Sequence, residues 1–544
     1  MSPATSGLWV EARVTLVPRL GDTHVVPALL DSRGVALGRA GIPTDSGPVH
    51  AGMCPKLLRQ ITRKNREGVM QTMKRPARTC VSDWSKSLLG LSLCVALTAC
   101  GGDDNGDTPT APASSVPPVA GGPAPEAPVA KYSVTGTISG LVSGTQMTLL
   151  NRGGDALTVN GNGTFGFSTS MASGSEYAVG VATQPKGQTC TVSNGSGTIA
   201  ASNVTSIGVT CTRIVLVYVT NAGSSAVSQY TIGEGGTLTP ISPASVGAVS
   251  TPYSVSVDPS GKYAYVAGWG GVVSQYTIGA SGALTPMTPA NVTAGPQSQA
   301  VIVDPSGKYA YAANVGDSTI SQYTIGVNGA LTPMPTAKFN AGSNPSSIAV
   351  DPTGKYAYVT SFNNNTILQY TIGADGALTP MATAGVLTGP FPYSVTVSPS
   401  GKYAYVTSMG GSGVFQFTIG ADGALTSMTT ASVGAGLSPT SVTVDPSGKY
   451  AYVVNQTDNT VSQYTIGADG GLSPMATASV ATGIVPNAIT VDPTGKYAYV
   501  TNYTSNTVSQ FKIGADGALT PMTSAFVSTG NGPIAIVTTY AATN

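Results

Sequence analysis

A block of about 47 residues returns along the last three-fifths of the chain. The glycine of "GKYAY" falls at Gly261, Gly307, Gly354, Gly401, Gly448 and Gly495, spaced by 46, 47, 47, 47 and 47 residues. A fixed period of this size implies a solenoid, a propeller or an array. Each unit divides into four strand-like pieces, in one copy "PSSIAV", "GKYAYVTS", "NTILQYTIG" and "GALTPM". Four short strands per unit of 40–50 residues is the sequence form of a propeller blade.

Counting the pieces sets the number of blades. The second and third strands occur seven times, the first copy being "IVLVYVTNAGSSAVSQYTIG" from Ile214, with no inner strand before it. The tail "GPIAIVTTY" (532–540) is an inner strand with no second strand after it. Joined, the two ends make one blade, and the 328 residues of 213–540 nearly equal seven repeats of 47, or 329. An open array would leave two unpaired sheet edges, and ring closure removes them. The sequence therefore predicts an all-β fold with a seven-bladed β-propeller over 213–544, closed by strands from both ends.

The repeated residues read as architecture. In "DPSG" the Pro pre-sets φ, the Asp or Ser accepts a local hydrogen bond, and the Gly takes a left-handed conformation. In "KYAYV" the two tyrosines share one face, with Ala and Val on the other. Stacked blades bury both faces, so a bulky face packs against a small one. Five copies of the Asp are each followed by Pro in the same turn, which marks them as turn residues, not catalytic carboxylates. The "GADG" aspartates (Asp375, Asp422, Asp469, Asp516) fall in outer hairpins and lack the ligand spacing of a calcium loop.

Ahead of the repeats the chain changes style. Residues 1–100 hold 13 of the 25 basic and 6 of the 24 acidic residues, leaving 12 basic and 18 acidic beyond them, a net of −6. No basic stripe remains, which argues against nucleic acid as a partner. "SLLGLSLCVALTAC" follows "MKRPARTCVSDWSK": a basic segment, an apolar run shorter than the roughly 20 residues that span a bilayer, and small residues before Cys100. This fits a secretory signal over 70–100. "LTAC" resembles the lipobox of bacterial lipoproteins, which implies lipidation at Cys100, a membrane partner through that anchor, and residence in the bacterial cell envelope, at the outer membrane. The Arg-rich residues 1–69 read as an upstream extension, with translation expected to begin at Met70 or Met73. Residues 101–130, rich in Pro, Ala and Gly, read as a disordered tether. Residues 131–212 alternate in short runs with the turn signals "NGNG" and "NGSG" and read as a small β-sandwich. In an exported chain, Cys190 and Cys211 most simply pair as a disulfide.

"SQYTIGADGALTPM" following "DPSGKYAYVTN" resembles the lactonase-type seven-bladed propeller family, related to 6-phosphogluconolactonase. The resemblance recurs seven times over 213–540. It implies opening of a sugar lactone by water, aided by His, Arg and carboxylate groups on one propeller face. This chain departs from that pattern: both histidines, His24 and His50, precede Cys100, and the only Arg of the propeller region is Arg213 at its start. No catalytic residue carries over position by position.

Function is expected where copies differ. The positions that begin the inner strands, Tyr253, Gln299, Ser346, Tyr393, Thr440, Asn487 and Ile534, carry no charge. From these and the loops between second and third strands, Trp269, Phe362, Asn363, Tyr393 and Tyr503 are the ligand-binding candidates, since aromatic faces with amides suit a glycan, a peptide or another small molecule. Asp317 and Asp458, the only acidic residues of those loops, are the available general bases. Without His beyond residue 50 no Ser-His-Asp triad can form in a mature chain starting at Cys100, no metal site is read, and no cofactor is expected. The sequence favours a lipid-anchored binding or scaffold module over an enzyme, the alternative being a lactonase that hydrolyses a sugar lactone.

Overall fold

The computed structural model describes residues 128–543. The expected upstream extension, the signal with Cys100, both histidines and nearly all of the tether lie outside the described residues.

The repeats fold into seven four-stranded antiparallel sheets. Blade 2 consists of Pro252–Val257, Tyr263–Gly268, Val272–Ile278 and Leu284–Thr293, from channel to rim. Blades 3 to 7 repeat this order, ending with Pro486–Val491, Tyr497–Asn502, Thr507–Ile513 and Leu519–Ser528 in blade 7. Blade 1 is composite: Val215–Asn221, Ala226–Ile232 and Leu238–Gly247 are completed by the C-terminal strand Pro533–Tyr540. Val217 pairs with Thr538 and Val219 with Ile536, antiparallel. The ring closes as the repeat count requires. The outer strands run ten residues, longer than the "GALTPM" piece, because each continues past a register shift opposite the third strand.

The repeated side chains weld each blade to the next. The second Tyr of "KYAY" is fully buried and its O–H donates to a glycine carbonyl in the outer hairpin of the following blade. Tyr218 reaches Gly282, Tyr265 reaches Gly329, and so on to Tyr499, which reaches Gly236 of blade 1, all at 2.6–2.8 Å. The buried Gln of "SQY" makes a second bridge. Its Oε1 accepts from the next blade's Leu amide in all seven steps, from Gln229 to Leu284 round to Gln510 and Leu238, at 2.5–2.8 Å. The glycine of the "ADG" hairpin is required twice over: at Gly423 φ is +81°, and a Cβ would lie 2.2 Å from the Tyr356 ring. Between the hydrogen bonds lies apolar packing, for example Tyr265, Ala267 and Val273 of blade 2 against Val301, Ala310 and Ala312 of blade 3.

The "DP" aspartate is buried deeper than a turn residue needs. Asp351 Oδ2 accepts from Thr353 N and Oγ1, and Oδ1 from Lys355 N and Tyr356 N. Four donors satisfy the carboxylate, so burial leaves no lone acceptor to activate anything.

The small domain has two four-stranded sheets. One holds Gly163–Gly166, Val134–Ser139, Val204–Arg213 and Gln188–Ser193; the other holds Asp155–Val159, Met147–Asn151, Glu176–Thr183 and Ser196–Thr198. Cys190 and Cys211 are register partners on adjacent antiparallel strands and form a disulfide. Their shared cluster includes Val134, Leu149, Phe165 and Ile207. The "NGNG" and "NGSG" segments turn the chain but close no hairpin. Each carries it from one sheet to the other, because the strands it joins pair elsewhere. The sandwich meets the closing strand directly: Ile214 N donates to Gly187 O, and Ala541 N to Ile214 O, both at 2.9 Å. Arg213, which closes the sandwich strand Val204–Arg213, lies 3.9 Å from the Tyr540 ring centroid, so the one Arg read at the start of the propeller region serves this junction.

Gly423→Ala is expected to destabilise the fold by about 2–3 kcal/mol. Asp422→Ala, whose exposed carboxylate accepts only from the nearby Ala424 amide, is expected to change it by less than about 0.5 kcal/mol. Urea unfolding of the two variants measures both, and equal midpoints would refute the close-approach argument. Burial pushes the Tyr276, Tyr323 and Tyr370 phenols up to about 12. The unfolded chain loses these protons near pH 10 while the native fold keeps them, so stability is full below about pH 10 and falls as pH rises towards 12. Urea midpoints between pH 8 and 11.5 should decline steadily above 10, and less steeply in Tyr276→Phe.

Candidate functional site

In every blade the first two or three residues of the inner strand stand at one mouth of the central channel. Hydroxyls bind these strands to one another: Val301 N donates to Ser254 Oγ at 3.1 Å, and Ser346 Oγ to Tyr393 O at 3.0 Å. The mouth forms a cavity of about 160 Å³ lined by Tyr253, Gln299, Ser346, Tyr393, Thr440, Asn487 and Ile534, with the residue that follows each. All seven positions singled out at the starts of the inner strands meet here. No Lys, Arg, Asp or Glu lines the cavity.

Two tyrosines dominate it. Tyr393 Oη accepts from Gln299 Nε2 at 3.0 Å, a bond that spans two blade steps. With its oxygen so occupied, the Tyr393 O–H is free to donate. Burial raises the Tyr393 phenol above its ordinary value, against a smaller lowering by Gln299. Burial raises Tyr253 too, reinforced by the nearby Tyr393 and Tyr503 phenols. Both remain neutral donors at physiological pH.

Aromatic rings flank these phenols. Trp269, in the loop between second and third strands of blade 2, stacks on Tyr253 with centroids 5.1 Å apart and planes 3° apart. Its Nε1 is buried without a protein acceptor. Phe362, from the equivalent loop of blade 4, stacks on Phe391 at 5.0 Å and meets Tyr393 edge-on at 6.3 Å. Tyr503 is half-exposed, its ring against Gly532. Asn363 is exposed and its Nδ2 donates to Ser343 Oγ at 3.2 Å, away from the cavity lining. Four of the five candidates thus surround the mouth or its rim, while Asn363 ties its loop to the neighbouring one at Ser343.

The two acidic candidates do not line the mouth. Asp317 accepts from Thr319 Oγ1 at 2.6 Å and pairs with Lys338 at 3.3 Å. Asp458 accepts from the Leu437 amide at 2.7 Å and borders a separate cleft of about 440 Å³ with Asn455 and Tyr464. Among the described residues no cluster of three or more His, Cys, Asp or Glu could hold a metal. The sequence names Tyr393 and Gln299, but neither the bond between them nor the part played by Phe391. Phe391 replaces Thr, Gln, Asn, Ser, Val or Gly of the other copies, and that substitution is the signal that marks it.

The family model of lactonase seven-bladed β-propellers matches residues 167–483 and 438–535. Among solved structures, a protein of Bacteroides uniformis provisionally assigned as a 6-phosphogluconolactonase is 21% identical, with 60% of this chain and 99% of that one covered at a TM-score of 0.54. The periplasmic gluconolactonase of Pseudomonas aeruginosa is 18% identical, with 60% and 99% covered and a TM-score of 0.51. Both likenesses are of fold. No curated protein matches the sequence. The span of the family match, and a ring of seven blades closed by Pro533–Tyr540, lead to one conclusion: the chain belongs to the lactonase family of seven-bladed β-propellers.

Proposed function

We propose that the protein is a lactonase acting on an uncharged lactone at the channel mouth. The observation that carries this is the cavity itself, a family-typical ring whose mouth is lined only by phenol, hydroxyl, amide and aliphatic groups. Such a lining suits a neutral, hydroxylated ring and offers nothing to a phosphate, which calls for Arg, Lys or converging backbone amides. The reading therefore favours the unphosphorylated lactone over its 6-phosphate.

The chemistry follows from the couple at Gln299 and Tyr393. The Tyr393 O–H donates to the lactone carbonyl oxygen and, more strongly, to the oxyanion that forms when water adds to the acyl carbon. Such a donor stabilises charge that develops only in the transition state. Collapse breaks the acyl–ring oxygen bond, the ring oxygen takes a proton from solvent, and an open hydroxy acid leaves. No carboxylate lines the cavity to act as base, so the attacking water loses its proton to solvent.

The full chain with glucono-δ-lactone should release acid above background, with kcat/KM at least about tenfold lower for the 6-phosphate. Tyr393→Phe should lower kcat/KM by about 10- to 100-fold, and no bell-shaped limb should interrupt the profile between pH 5 and 9. Hydrolysis no faster than background defeats this reading. The missing proton-transfer group also supports a second reading, a module that binds such a ligand without turning it over; calorimetric binding with no acid release would establish it.

We also infer that the protein is exported and lipid-anchored at the bacterial cell envelope. Support comes from the basic segment, the apolar run and the "LTAC" ending at Cys100. Metabolic labelling with a fatty acid should mark the wild-type chain and not Cys100→Ser. Equal labelling of the two removes the anchor from the proposal.

A further inference from the structure

The rim around the mouth is not uniform. Each inner strand is reached by a loop from the outer strand of the preceding blade. In the loops approaching blades 2 to 4 the last two residues are Ser250–Thr251, Pro296–Gln297 and Ser343–Asn344; in the loop approaching the closing strand they are Asn531–Gly532. In the three successive loops between these groups they are Pro390–Phe391, Leu437–Ser438 and Ile484–Val485. Phe391, Leu437 and Ile484 are 46%, 52% and 56% exposed. Apart from Pro296, the loop ends on one side are polar or Gly, whereas from blade 5 to blade 7 three successive loops each expose an apolar side chain just ahead of strand residues that line the cavity. Exposed apolar side chains grouped in neighbouring loops beside a cavity mark a binding surface more often than single scattered ones do.

Backbone conformation bears on the same loops. The residue immediately before the first inner-strand position is left-handed in every copy, at Thr251, Gln297, Asn344, Phe391, Ser438, Val485 and Gly532. Asn and Gly adopt this conformation at little cost, whereas a bulky or β-branched side chain is strained there. Phe391 (φ 57°) and Val485 (φ 55°) accept that strain in the arc, as β-branched Thr251 (φ 49°) does on the opposite side. Their amides are held by Asn365 Oδ1 and Asn459 Oδ1, at 3.0 and 2.7 Å. Phe391 gains only partial burial for it. Phe391 also stacks on Phe362 at 5.0 Å, and strained backbone of this kind, kept beside a cavity, is a mark of functional positions. The neighbouring loops are held too, with Leu437 N donating to Asp458 and Ile484 N to Ser505 Oγ at 2.8 Å.

We propose that the arc of Phe391, Leu437, Ile484 and Val485 receives an apolar arm of a ligand whose uncharged lactone ring sits in the channel mouth. The preferred substrates are then lactones bearing an aliphatic chain. This rests on the lactonase reading for its chemistry but not for its binding. The ring meets the phenols, hydroxyls and amides of the cavity, and the chain lies outward over the arc, removing both apolar surfaces from water.

The test uses the full chain and δ-lactones with no side chain and with propyl, pentyl and heptyl chains. Binding is measured by calorimetry and ring opening by acid release. Affinity and kcat/KM should rise with length, by up to about fourfold for each methylene that reaches the arc. Phe391→Asn combined with Leu437→Ser and Ile484→Ser should flatten the dependence to below about twofold across the series. Val485→Asn alone, which relieves the left-handed strain, should raise the thermal midpoint and so report that this rim tolerates change. Ring opening that ignores chain length overturns the arc and leaves the lactonase reading standing. Affinity that climbs with length while no ring opens supports the arc and removes the lactonase reading. Absence of both binding and ring opening across the series overturns both.

Discussion

The structure depends on one repeated constraint, the pair of hydrogen bonds by which each blade grips the next. A tyrosine hydroxyl reaches a glycine carbonyl, and a buried glutamine reaches a leucine amide. Both donors and acceptors are removed from water, so losing one partner strands the other at a cost of about 1–3 kcal/mol. Seven such steps turn through a full circle, and the last, from Tyr499 and Gln510, lands on Gly236 and Leu238 of blade 1. The same geometry that joins neighbours therefore joins the ends. The C-terminal strand Pro533–Tyr540 supplies the missing inner strand, and the sandwich braces its exit through Gly187, Ile214 and Arg213.

This division of labour explains why the chain is both repetitive and functionally sparse. The repeated Asp, Tyr, Gln and Gly are consumed by architecture, each with its hydrogen-bonding capacity filled inside or between blades. What remains for chemistry are positions that architecture leaves free: the starts of the inner strands and the loops around them. There the chain places neutral donors and aromatic rings. Tyr393 and Tyr253 combine a buried phenol with an open mouth, so they stay protonated and can donate to a carbonyl without competing for a proton.

Much of this was legible in the sequence. The period, the number of blades, the composite blade and the turn role of the "DP" aspartates follow from spacing and residue type alone, because each depends on local chain geometry or on counting, while the disulfide follows only by taking the chain to be exported. The seven positions at the starts of the inner strands were also legible, since a propeller must bring them to one channel. Less so was the purpose of the repeated tyrosine and glutamine. Periodicity placed the tyrosines on a packed face but not their hydroxyls on a carbonyl about 65 residues away. The "NGNG" and "NGSG" signals do mark turns, but the strands they join belong to different sheets, because pairing is decided by which strands lie alongside, not by the turn between them.

The amino-acid sequence by itself determined the ring, since a fixed 47-residue period with split ends admits closure and little else. Only the tertiary structure decided which variable residues act together. Gln299 and Tyr393 stand 94 residues apart, and Phe362 reaches Phe391 from a different blade. Asp317 is held by Thr319 and Lys338 and Asp458 by the Leu437 amide, and neither lines the cavity. The reason is that contacts across a closed ring depend on radius and loop path, quantities that no local pattern of residues encodes.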